Sequence, residues 1–125
     1  MTDTLKASAL ALCIVIVSIQ ENAMGLENVL VPQGCQLAER PAIPDGETIS
    51  EAQLIQTKTN LQQYLTEADV FLRCLKRYEE SLGEDIDGDK RVVIITSHNK
   101  VVDEMYLAGD EFNVALRKFN RRASP

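Results

Sequence analysis

Three sets of residues in this 125-residue sequence are of types that carry chemistry: one histidine, three cysteines and several clustered carboxylates. A lone imidazole serves as a general base or activates a nucleophile only when an acid, hydroxyl or thiol orients it. His98 has no Ser, Asp or Cys three or four residues away. Asp103 and Glu104 fall on other faces of a helix. The imidazole lies in an apolar pattern between Ile94 and Met105 and is read as a partly buried packing residue. The stretch Asp85-Ile86-Asp87-Gly88-Asp89 has the opening of a calcium loop, but such a loop needs glycine at its sixth place and glutamate at its twelfth. Lys90 and Thr96 stand there instead. The loop at 84–89 is therefore read as a capping and solubilising connection.

The carboxylate pairs Glu79-Glu80, Asp103-Glu104 and Asp110-Glu111 are adjacent in sequence. Neighbours in a helix point to different faces, so these read as solvated charges and not as acid–base pairs. There is no glycine-rich phosphate loop, no G-x-S-x-G, no H-E-x-x-H and no internal repeat. The expectation is a protein that is not an enzyme and takes no cofactor and no metal. The alternative is a small metal- or ligand-binding module using the acidic loop 84–89 or His98.

What the cysteines do depends on the compartment. Residues 1–25 have the layout of a secretory signal peptide. Lys6 supplies the positive start, Ala7 to Ile19 is uncharged and apolar, Gln20-Glu21-Asn22 is polar, and Ala23-Met24-Gly25 gives small residues for a cut near Gly25. A membrane span needs roughly 20 apolar residues, and this run is shorter. Cleavage removes Cys13 and leaves Cys35 and Cys74. Two cysteines in an exported chain most simply form one disulfide. Their spacing is not C-x-x-C, and with one histidine they are too few for a closed zinc site. The expected location is periplasmic or secreted, with no stable membrane span in the mature chain.

Composition narrows the partners. Apolar residues make up 45% and charged residues 26%, as in a folded soluble chain. Aromatics are only 5%, with no tryptophan, so a base-stacking platform is not expected. A net charge of −6 gives no electrostatic footprint for nucleic acid or anionic lipid.

The elements that must position these residues follow from caps and periodicity. Pro32, Pro41 and Pro44 predict an extended arm over 26–49, with a turn at Pro44-Asp45-Gly46. Ser50 and Gln53 make a capping box. From there Leu54, Leu61, Ala68, Leu75 and Leu82 recur every seven residues, with Tyr64, Phe71 and Tyr78 beside them. Gly83 ends that helix, and Asp87 or Asp89 caps a second one running from about Asp89 to Arg121. Its seam is predicted through Ile94, His98, Val101, Met105, Ala108, Phe112, Ala115 and Phe119. Arg91 to Thr96 is β-branched and reads as a strand in isolation, but the spacing carries helix through it. The fold class is all-α: two long antiparallel, coiled-coil-like helices forming a hairpin domain over 50–122, preceded by the arm and closed by one disulfide. The apolar stripes are wider than one hairpin covers, with Leu65, Leu72, Val92, Ile95, Val102 and Leu116 beside the seams. The arm, through Val29, Leu30, Val31, Leu37 and Ile43, or a second copy must cover them.

The order of these features resembles a loosely defined group of short uncharacterised exported proteobacterial proteins. The residues that carry the resemblance are Cys35 with Pro41 and Pro44, Phe71-Leu72-Arg73-Cys74-Leu75, Asn99 to Met105, and Phe112-Asn113. It implies export, a pairing of Cys35 with Cys74 and a helical hairpin, and it implies no activity. The reading from the residues is an exported, non-enzymatic structural or protein-interaction protein acting through its apolar helix faces. Its partner is then a homodimer mate or an envelope protein, and not nucleic acid.

Overall fold

The computed structural model describes residues 26–124. The predicted signal peptide at 1–25 lies outside the described residues. Two helices form, α1 at Glu51–Ser81 and α2 at Gly88–Ala123, with no strand among the described residues. At 1.5 Å per residue, their 31 and 36 residues span about 46 and 54 Å. They pack side by side as an antiparallel hairpin.

Each end has a local cause. The Ser50 hydroxyl accepts from the Gln53 amide at 3.2 Å, and the Gln53 side chain accepts from the Ser50 amide at 2.9 Å. This is the reciprocal capping box that starts α1. Gly83 has φ +77°, which a side chain would resist, and the Leu82 and Gly83 amides close the last turn of α1. Asp87 caps α2 by accepting from the Asp89 amide at 3.3 Å. The Lys90 ammonium rests 5.7 Å from the centre of the Tyr78 ring, tying the start of α2 to the end of α1. Arg91 to Thr96 is helical throughout. Of its β-branched residues only Ile94 is buried, while Val92, Val93 and Ile95 are exposed; the weak local preference gives way to the long helix that Asp87 starts and Ile94 anchors.

The core is one stripe from each helix. On α1 it is Leu54, Leu61, Tyr64, Ala68, Phe71 and Leu75, as the heptads predict, with Thr57 buried among them. The Thr57 hydroxyl donates to the Gln53 carbonyl at 2.8 Å, which satisfies it. On α2 the buried residues are Ile94, Ser97, Val101, Glu104, Ala108, Phe112 and Ala115. This corrects the predicted seam at three places. His98 is exposed and Met105 and Phe119 are only half-buried, while Ser97 and Glu104 are inside. The partners that make a buried serine and glutamate acceptable come from the arm.

The arm lies along the hairpin with Ala38 and Ile49 fully in the core, and Leu26, Val29, Leu30, Leu37 and Ile43 packed against it. Val31, predicted to cover the helices, is 45% exposed instead. Two turns shape the arm. Cys35 donates to the Pro32 carbonyl around Gly34, which has φ +87°. The Asp45 carbonyl accepts from Thr48 and Ile49 around Gly46. Cys35 and Cys74 form the disulfide, with Cα atoms 5.7 Å apart. Closing a loop of 39 residues restricts the unfolded chain, for about 4 kcal/mol in the chain-entropy model. A two-helix core buries little surface, so a staple of this size is a large share of its stability.

Candidate interaction surface

The arm's covalent tie goes to α1, while its polar ties go to α2. The Leu30 amide donates to the buried Ser97 hydroxyl at 2.8 Å. The Lys100 ammonium donates to the Glu27 carbonyl at 2.8 Å. Further along, Lys118 meets Asp45 at 3.2 Å, and the Arg122 guanidinium donates to the Ile49 carbonyl. The arm therefore runs in the same direction as α2, from near Ser97 to Arg122. Ser97, Glu104, Glu111 and Lys118 recur every seven residues and form one row of the helix, and this row holds the arm.

At the centre of that row, Arg40 joins Glu104 at 2.9 Å and Glu111 at 2.6 Å. The Glu104 side chain is only 5% exposed and that of Arg40 15%, so this pair is largely desolvated, whereas Glu111 is 57% exposed. Glu104 was expected among the solvated charges; burial against an arginine from the arm is the correction. Burial works against the Arg40 charge, but hydrogen bonds and the charges of Glu111 and Glu104 outweigh it and raise its pKa above the ordinary arginine value. The same cluster acts on Tyr64 of α1. Burial first, then the nearby Glu104 charge, pushes its phenol above the usual range, with Arg40 opposing. Asp45 is held below the usual carboxylate range by the Glu47 amide and then by Lys118. No buried side-chain polar atom among the described residues lacks a partner. The cluster is a fastening for the arm: Arg40 pairs with the buried Glu104, and the exposed Glu111 leaves one negative charge facing solvent.

The other candidates separate. Asp87 spends its carboxylate capping α2, and the acidic residues of the 84–89 connection are exposed. Among the described residues, no three of His, Cys, Asp and Glu are grouped to hold a metal ion. His98 lines an open groove of about 410 Å³ between the helices, over Leu72, Leu75, Ile94 and Ile95, with Arg73 and Lys76 at its rim. Arg73 is occupied by Asp69, one turn earlier on α1, at 2.8 Å.

Among the exposed residues of the hairpin are large apolar side chains, including Ile55 and Val70 on α1. Val92 is 61% exposed, Ile95 50% and Tyr106 72%, all on α2. Leu65, Leu72, Val102 and Leu116 are half-buried. Of the stripe residues that the sequence places beside the seams, Val92 and Ile95 thus remain uncovered. No helix of the described residues is long and apolar enough to cross a membrane. No protein-family model matches the chain, and no curated protein or solved structure gives a significant match to it.

Proposed function

We propose that this is an exported, non-enzymatic interaction protein, in which a disulfide-fastened arm makes one flank of a helical hairpin rigid and leaves an apolar face of α2 to bind another protein surface. The observation that carries the reading is the group Val92, Ile95 and Tyr106, each at least half exposed on one helix. Burying large apolar and aromatic side chains is the main source of affinity at protein interfaces. The Cys35–Cys74 disulfide fits a periplasmic or extracellular setting, where such bonds persist. The resemblance to short exported proteobacterial proteins points the same way.

A photo-cross-linking residue at Ile95, in the exported chain within its native envelope, tests this. The expected result is a discrete protein adduct, either with a second copy or with another envelope protein. No adduct from position 95 or from position 106 would overturn the reading. A second reading has one observation behind it, the groove beside His98 with Leu72, Ile95 and Lys76 around it. A small ligand or a metal ion would bind there. Calorimetry with zinc and calcium, and thermal shift with small apolar anions, would show heat or stabilisation lost in His98→Ala; no response retires it.

A further inference from the structure

The outer side of α2 has a second helical seam that the hairpin covers only in part, Leu116 packing against the core at its edge. Ile95, Val102, Gly109 and Leu116 recur every seven residues. Asn99, Tyr106, Asn113 and Asn120 recur at the same interval, four residues after each of these. The alternation of four and three is the spacing of a coiled-coil core, with the first set at d positions and the second at a positions. At 100° per residue this seam lies opposite the row of Ser97, Glu104, Glu111 and Lys118 that holds the arm. Asn99, Tyr106, Asn113 and Asn120 are exposed, and Val102, Gly109 and Leu116 are half-buried. None of the eight is charged, in a chain that is 26% charged residues. Depletion of charge marks the core of an interface.

We infer that this seam is the contact with a second copy of the chain, α2 against α2 in parallel and in register. The inference rests on the interaction reading above and names the partner. Three features select a like partner. A carboxamide both donates and accepts, so an asparagine at an a position is satisfied by the same residue in the same place on the other helix. Asn99, Asn113 and Asn120 all have that arrangement. Next, two acidic chains repel broadly, and this charge-free strip lets them approach, while the register sets His98 of one copy beside Asp103 of the other. Finally, a glycine inside a helix lowers its stability relative to alanine. A Cβ at Gly109 would meet nothing within 4 Å of its own chain, so nothing in the monomer requires the glycine. In the parallel pair a knob at Tyr106 enters the hole formed by Val102, Met105, Tyr106 and Gly109 of the second copy. The missing side chain at Gly109 makes room for the ring.

Sedimentation equilibrium of the exported, oxidised protein tests this, together with a cysteine at the seam. The expected mass rises from one chain to two with concentration. Tyr106→Glu and Ile95→Glu, both at exposed sites where the hairpin has little at stake, weaken association by about tenfold or more while helical circular dichroism is unchanged. Asn113→Cys cross-links to itself under mild oxidation. A strict monomer up to hundreds of micromolar (about the upper working range) overturns the inference, as does a dimer that Tyr106→Glu and Ile95→Glu leave intact. Linkage of Asn113→Cys only to Val102→Cys of another copy overturns the parallel register. An Ile95 adduct with a different protein and none with itself removes the second copy but leaves the interaction reading standing; no adduct of either kind removes both.

Discussion

Arg40 of the arm donates to Glu104 of α2 at 2.9 Å across 64 residues of sequence, and both side chains are nearly shut off from solvent. Breaking one side of such a pair leaves the other charge buried without a partner. Arg40→Ala should therefore lower stability by about 3–5 kcal/mol, since it leaves the buried Glu104 carboxylate unpaired beside Glu111. Removing both charges with Arg40→Met and Glu104→Leu should cost clearly less than the two single changes together. Urea unfolding of the four proteins checks this; additive costs would show that the two charges do not interact.

Two glycines should respond in opposite directions to the same change. A Cβ on Gly46 would come within 2.8 Å of the Lys118 Cβ and press directly on the Ala115 carbonyl oxygen. The turn at Asp45 has to move off α2 to admit it, and Gly46→Ala should lower stability by about 1–3 kcal/mol. Gly109→Ala meets open space in a helix and should raise the stability of the single hairpin by up to about 1 kcal/mol. Thermal melts at low concentration, where the chains are separate, give both signs.

Tyr64 sets an alkaline limit. Its phenol is pushed above its ordinary value of 10.0 in the folded chain, so the folded state holds that proton more tightly than the unfolded one. The stability this represents is complete below about pH 10 and is lost as pH rises through the folded value. Unfolding free energy should be flat from pH 7 to 9 as far as this group is concerned, then fall. Tyr64→Phe should show a shallower fall; an unchanged alkaline slope would assign the loss to other groups. On the acid side, the lowered pKa of Asp45 gives the opposite dependence, stability present above the ordinary value of 3.8 and lost as pH falls below it.

The helices were readable because their signals are local. The Ser50–Gln53 capping box, the heptads from Leu54 to Leu75 and Gly83 all act within a few residues of themselves, and each appears where expected. The register of α2 was less readable at two positions. Ser97 and Glu104 have the composition of a surface, and only the Leu30 amide and the Arg40 guanidinium, more than 60 residues away, make their burial affordable. His98 and Met105 looked like core by spacing and were displaced outward by one residue. Val31 shows the same limit within the arm. A proline-containing segment has no period from which to tell which side chains face inward, and Ala38 and Ile49 took the places.

The most direct test is a proteolytic map of the exported protein without reduction. A fragment containing Cys35 joined to one containing Cys74 is the predicted result, with no thiol free to alkylate in the unfolded, unreduced chain. Alkylation of both residues under those conditions would contradict the fastened arm on which the whole architecture rests.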